Sequence, residues 1–207
     1  MQIDPAATPW QSIYKILIGS ILPRPIGWIS TISTAGQPNL APFSFFNAVC
    51  GNPPHIMFAP MIRSSDGLPK DTLNNLISVP EFVVNIATEP LIQALNISST
   101  EFSPDVDEFL EAQLTPVPSI LVRPQRVAES PINFECQVAH IYDIGDQPGS
   151  GSVVIGKVVY MHVQDDLLVE GDKIDLAKLQ PIGRLAGNAY CRVTDIFHLQ
   201  RPASQIR

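Results

Sequence analysis

Residues 132–144 (INFECQVAHIYDI) and 152–164 (SVVIGKVVYMHVQ) form two long β-type runs separated by the turn-rich stretch GDQPGSG. Two such runs with a short Gly/Pro break between them pair most simply as one long antiparallel hairpin. A parallel pair would need a crossover of a dozen or more residues, which this spacing does not leave. The pattern recurs upstream. IGWISTIS (26–33) is rich in β-branched residues, TAGQPN is a turn, and LAPFSFFNAV (40–49) reads as one strand returning beside it. HIMFAP and EFVVNIA add a short strand and a buried one.

Helical patterns are few and short. WQSIYKILI (10–18) places apolar residues at helical spacing, and PKDTLNNLISV (69–79) has Asp71 or Thr72 to cap its start. EPLIQALNIS (89–98) reads as a further helix. Residues 99–124 are Pro-rich and acidic and predict a loop with one or two helical turns at most. The tail PIGRLAGNAYCRVTDIFHL predicts a glycine-broken loop leading to a final strand. Strands that follow one another by hairpins point to a mainly β chain, a closed antiparallel barrel with short peripheral helices rather than a set of βαβ units. With 207 residues and no internal repeat, one domain over 1–207 is expected.

The chain carries a formal net charge of −7 and no basic run, which excludes a nucleic-acid surface and gives no support to membrane-surface binding. No apolar run approaches the ~18 residues of a membrane span. MQIDPAATPW has no basic segment leading into an apolar core, so a cytoplasmic protein is expected. Cys50, Cys136 and Cys191 are odd in number and far apart, which disfavours a disulfide framework. His55, His140, His162 and His198 show no paired spacing, so no metal site is expected. GSVVIGKV has the spacing of a P-loop, but Val158 follows Lys157 where Mg²⁺ binding needs Ser or Thr. Cys50 has no local base in the sequence, and no nucleophile elbow or dinucleotide fingerprint is present. No catalytic side chain is assigned; if the chain is an enzyme, a cofactor carries the chemistry.

Three stretches remain. In PRPIGWISTIS, prolines fix the backbone around Arg24, and Ser30 and Thr31 offer hydroxyls. In SFFNAV, strand backbone and Asn47 suit the edge of a planar heterocycle with a phenylalanine packed on it. In KDTLNN, Lys70 and Thr72 stand at a helix start, where an anion is favoured. Each stretch has a plain alternative: Arg24 pairs with a surface carboxylate, Phe43, Phe45 and Phe46 are core, and Lys70 and Asp71 form a solvated helix end.

The run LPRPIGWISTISTAGQPNLAPFSFFNAVCGNPPHIMF, followed by KDT and EFVVNI, resembles the flavin reductase-like, FMN-binding split-barrel family in its flavoredoxin-related branch. LVRPQRVAESPINFEC, VVIGKVVYMHV and PIGRLAGNAYCR extend the resemblance over nearly the whole chain. It implies a split β-barrel homodimer with FMN near the subunit interface. Lys70 and Thr72 would hold the phosphate, helped by Arg24, Ser30 or Thr31. Ser44, Phe45, Asn47 and Ala48 would line the isoalloxazine through backbone groups, and Arg184 and Tyr190 would reach the site from the tail. NADH, NADPH or a protein would supply electrons, to be passed to a small acceptor or free flavin. The related reductases carry a Gly-Asp-His stretch where this chain has Ser150, Gly151 and Ser152, which leaves the donor open. A non-enzymatic FMN electron carrier and a split barrel binding another planar ligand such as haem are the alternatives.

Overall fold

The computed structural model describes residues 1–205; the last two positions of the expected 1–207 domain lie outside the described residues. Five strands precede the acidic segment: β1 (Gly27–Ile32), β2 (Pro38–Phe43), β3 (Phe46–Gly51), β4 (Pro54–Phe58) and β5 (Glu81–Ile86). The two-residue strands β6 (Pro116–Val117) and β7 (Arg126–Val127) pair with each other. The long hairpin expected from the sequence is present as β8 (Ile132–Asp143) and β9 (Ser152–Val163), bent by two register shifts. β10 (Leu168–Val169) pairs β11 (Lys173–Ile174), and β12 (Ile182–Arg184) pairs β13 (Tyr190–Arg192). The α-helices are α1 (Trp10–Ser20), α2 (Asp71–Ser78), α3 (Ile92–Ile97), α4 (Glu108–Glu111) and α5 (Leu176–Leu179).

Seven strands form one antiparallel sheet in the order β2-β1-β5-β8-β9-β4-β3. β2 and β3 lie at its two ends, yet only Ser44 and Phe45 separate them in the chain. Three Cα steps of ~3.8 Å span at most ~11 Å. The sheet must therefore curl until its ends meet, although β2 and β3 share no ladder. This is a barrel with an unzipped seam: a mainly β split barrel with short helices outside it.

The single strand expected over residues 40–49 is thus two strands. One continuous strand cannot pair with β1 at one end of the sheet and with β4 at the other, and the bend at Ser44 and Phe45 lets it serve both. Pro38 and Pro42 make β2 a natural edge, because a proline fits a sheet only where its missing N–H faces away from a partner. Gly27 lets the seam close: a Cβ there would lie 2.7 Å from the Phe46 ring.

Inside the barrel, Ile29, Phe43, Phe58, Phe82, Val84 and Val154 pack with Leu73 and Leu76 of α2. The Phe43 and Phe58 rings lie 5.1 Å apart, and those of Phe58 and Phe82 5.3 Å. Phe43 is therefore core, as the plain reading of the sequence allowed. A second cluster, with Trp28, Leu40, Phe109, Leu114 and Val127, covers the outside of β1 and β2. Being buried on both faces explains why residues 26–32 carry so little charge.

Residues 99–124, expected to hold one or two helical turns at most, contain α4 and are tied to the barrel by carboxylates. Glu108 accepts from Asn39 Nδ2 and the Leu40 amide, at 2.8 and 3.1 Å. The fully buried Glu135 accepts from the Ile120 and Leu121 amides and from His162 Nε2, at 2.8, 2.6 and 2.7 Å. The expected final strand is only the three residues of β13, paired back onto β12. No strand follows it among the described residues, and Phe197 and Leu199 are exposed.

Candidate functional site

The seam of the barrel is also where the chain is hollow. A cavity of about 820 Å³ opens between α1, the Ser44 bend, Leu95 and the loop carrying Arg184 and Tyr190. A second, of about 690 Å³, continues from it along α1 to Ile62, Arg63 and Lys70, and the two share Tyr14, Ile18 and Gly187. A small one of about 50 Å³ joins both, sharing Pro42 and Ser99 with the first and Arg63 and Lys70 with the second. The shared lining residues make them one cleft, whose two large compartments are each of the size ligand sites take. On α1, Trp10, Tyr14 and Ile18 recur every four residues, so one face of the helix forms a wall of the cleft.

The small cavity brings two cations, Lys70 and Arg63, together with the carboxylates of Asp71, Glu101 and Glu108. Lys70 sits at the N-cap of α2, where the helix dipole adds positive charge, and its Nζ is 3.8 Å from Glu101 Oε1, a loose pairing. The Asp71 carboxylate, the awkward neighbour of a phosphate there, is drawn to Arg63 Nη1 at 3.3 Å. Arg63 also grips Asp66, and that hydrogen bond raises its pKa above the ordinary guanidinium value. Thr72 is buried, and its hydroxyl donates to Asn39 Oδ1 at 2.9 Å. Asn39 in turn is fixed by Glu108, whose own pKa is raised by burial.

Arg24 lines the large cavity but acts first as a clasp. Its Nη1 donates to Ile18 O and Ile21 O at 2.6 and 3.1 Å, satisfying carbonyls at the end of α1. Nη2 donates to Leu185 O at 2.9 Å, and Nε to Ser44 Oγ at 3.3 Å. Four of its roughly five N–H groups are thereby engaged, and burial lowers its pKa. The alternative of a surface carboxylate partner for Arg24 does not hold: its partners are backbone carbonyls and a serine.

The other sequence candidates divide. Ser44 lines the large cavity. Phe45 is half-buried, with its ring edge-on to Tyr14 at 6.4 Å and its carbonyl accepting from the Ala59 amide. Asn47 and Ala48 lie on exposed β3 outside the cleft lining, and the Ala48 amide donates to Asn47 Oδ1. Ser30 and Thr31 do not reach the cleft. Ser30 Oγ donates to Gln125 O at 2.5 Å, and Thr31 Oγ1 donates to Asn39 Oδ1 at 3.3 Å and accepts from Asn75 Nδ2 at 3.1 Å. On a central strand covered on both faces, their hydroxyls can serve only the core.

Arg184 and Tyr190 do line the large cavity, facing each other across the β12–β13 ribbon with the guanidinium 4.4 Å from the ring centre. Sequence reasoning missed Arg63, Ser99 and Tyr14. The four-residue spacing of Trp10, Tyr14 and Ile18 was the available signal for the helix wall; nothing local marks Ser99. It also missed a neighbour of Cys50: His55 Nδ1 lies 3.8 Å from the sulfur, and both groups point at Pro53 O, 3.0 Å from each.

Residues 18–175 match the family model described as Flavin reductase like domain. A protein of Halalkalibacterium halodurans is 41% identical over 204 residues, covering 98% of this chain and 97% of its own. Among solved structures, nitrilotriacetate monooxygenase component B from Bacillus cereus superposes with a TM-score of 0.90 at 36% identity, over 96% of this chain and 98% of that one. The 2-nitrobenzoate 2-nitroreductase of Pseudomonas fluorescens gives 0.86 at 30% identity, over 98% and 96%. With the matched model spanning most of the barrel, the chain belongs to the flavin reductase like family, a group of flavin-related oxidoreductases.

Proposed function

We propose that this chain is an FMN-dependent oxidoreductase of the flavin reductase type, a single cytoplasmic domain that works as a homodimer. It takes hydride or electrons from NADH, NADPH or a protein donor and delivers them to a small acceptor or a free flavin. The observation that carries this reading is the continuous cleft along the seam, with Lys70 and Arg63 at its α2 end, two arginines at the other, and Tyr14 and Ile18 as its wall.

The donor set fits FMN. Lys70, with Arg63 and the Thr72 position at the start of α2, would hold the phosphate, the Asp71 carboxylate being neutralised by Arg63. Ser44, with Phe45 beside it, would line the ring, while Asn47 and Ala48 lie outside the cleft on exposed β3. Arg24 contributes by fixing α1 and the Ser44 bend against each other; Thr31 contributes through Asn39 and Asn75, which support α2, and Ser30 through the Gln125 carbonyl. Bound FMN supplies hydride and electron transfer through its isoalloxazine. The protein's task is orientation and exclusion of water. Exposed β3, with Val49, and the outer residues Ile16, Leu17 and Ile21 around α1 offer apolar surface for a second subunit.

The test is twofold. FMN titration by flavin fluorescence is expected to show Lys70→Ala binding on the order of tenfold more weakly at unchanged thermal stability. Equal affinity would remove Lys70 from the site, and no FMN binding by the parent protein would overturn the reading. Anaerobic stopped-flow absorbance with NADH and then NADPH is expected to bleach the oxidised-flavin band. A flavin reduced by dithionite but by neither nucleotide would make the chain an electron carrier. That second reading is favoured by one observation: in place of the Gly-Asp-His stretch of related reductases this chain has Ser150, Gly151 and Ser152, and the Ser152 hydroxyl is turned to Asp143 Oδ1 at 2.6 Å.

A further inference from the structure

The 820 Å³ cavity is unlike the rest of this acidic chain. Two arginines, Arg24 and Arg184, line it and no carboxylate does, whereas Glu101 stands in both of the cavities that adjoin it, with Asp71 and Glu108 also in the smaller. The two arginines are also direct partners. They face each other in an antiparallel bridge, with Arg24 N donating to Arg184 O at 3.0 Å and Arg184 N to Arg24 O at 2.9 Å. Like charges directly opposite one another across a bridge are destabilising. Neither is in an ion pair among the described residues.

Their states differ. Arg24 spends its donors on backbone carbonyls and Ser44. Arg184 makes one side-chain hydrogen bond among the described residues, Nη2 to Gly187 O at 2.5 Å, and its guanidinium carbon lies 4.4 Å from the centre of the Tyr190 ring. A guanidinium fork with Nε and Nη1 uncommitted, oriented by an aromatic ring and backed by a second buried cation, matches the geometry of a carboxylate or phosphate oxygen pair. Tyr14, Leu95 and Ile26 add aromatic and apolar lining for a flat body.

We propose that this cavity is the subsite of the second redox ligand, and that the ligand is a planar molecule carrying a carboxylate or phosphate, gripped by Arg184. The proposal rests on the flavin reading only in calling that ligand a redox partner; anion binding itself is measurable whether or not FMN binds. The anion has two sources, an aromatic carboxylate acceptor or the diphosphate of a nicotinamide donor, and both share the Arg184 contact.

The experiment is calorimetric titration of the protein, with and without FMN, using benzoate and inorganic pyrophosphate as probes. The expected result is saturable one-site binding of at least one probe to the FMN-loaded protein, weakened by added salt. Arg184→Gln should weaken it roughly tenfold to hundredfold, with partial recovery in Arg184→Lys. Benzoate binding with pyrophosphate silent assigns the carboxylate acceptor; pyrophosphate binding displaced by NADH assigns the donor. Folding of each variant is followed by its thermal midpoint, and because Arg184→Lys keeps the charge and the long stem, a folding defect in the Gln variant leaves the Lys comparison standing. Absence of binding, or an affinity that Arg184→Gln leaves unchanged, overturns the proposal. So does binding that occurs only without FMN and is competed by it, since the arginines would then belong to the flavin phosphate. Failure of FMN to bind, with the probes still bound through Arg184, refutes the flavin reading and leaves the anion subsite in place.

Discussion

Gly27→Ala tests the closure of the barrel directly. The added Cβ would lie 2.7, 2.9 and 3.1 Å from Cδ2, Cγ and Cε2 of Phe46. Carbon atoms settle at ~3.5–4.0 Å, so the ring must retreat by close to ~1 Å or the two strands must part. Overpacking of this kind costs ~1–3 kcal/mol. In a chain of this length that lowers the thermal midpoint by about 2–4 °C for each kcal/mol. The assay is urea unfolding followed by tryptophan fluorescence, reading the midpoint at constant slope. Phe46→Leu alone should cost on the order of 1 kcal/mol through lost packing. Combined with Gly27→Ala it should cost less than the sum of the two, because the smaller side chain relieves the clash; a coupling of ~0.5–3 kcal/mol is expected for residues in contact. Strict additivity, or a Gly27→Ala variant as stable as the parent, would show that Phe46 does not close the seam onto β1.

Two further substitutions probe buried polar anchors. Trp28 is fully buried and donates its indole N–H to Ser98 Oγ at 2.8 Å, so Ser98→Ala should cost about 1–3 kcal/mol in urea unfolding, and no loss would mean the indole finds another acceptor. For Glu135, burial pushes the carboxyl pKa up, but hydrogen bonds from His162 and from the Ile120 and Leu121 amides outweigh it and hold the pKa below the ordinary value. Such a group contributes stability above its unfolded pKa, and that contribution is lost as pH falls through the lower folded pKa. Glu135→Gln should therefore unfold more easily than the parent near neutral pH, with the gap narrowing below about pH 4; a gap that does not depend on pH would place the effect in packing rather than ionisation.

Much of the architecture lay in local pattern. Residues 132–164 announced their hairpin because alternation, β-branching and a Gly/Pro turn act over neighbouring residues, and the hairpin formed where expected. The Lys70 helix start was legible for the same reason. The Ser44 bend was not. Residues 40–49 are uniformly strand-like, and only the need of two distant ladders, β1 and β4, to use the same segment breaks it. Arg24 was visible as unusual between its prolines, but the carbonyls that consume it come from α1 and from Leu185, 161 positions away. The partners of the Ser30 and Thr31 hydroxyls, Gln125 O and Asn39, were not legible either, because alternation on a strand covered on both faces does not tell which neighbour a hydroxyl will find.

By itself, then, the sequence determined the antiparallel strands, the short helices, the acidic surface and the family to which the chain belongs. These follow from residue preferences and from motifs contiguous in the chain. Tertiary structure alone decided where the barrel splits, how three cavities merge into one cleft, and that Arg24 and Arg184 face each other with no carboxylate between them. Those features depend on sheet closure, which brings together residues whose separation in the chain carries no local signal.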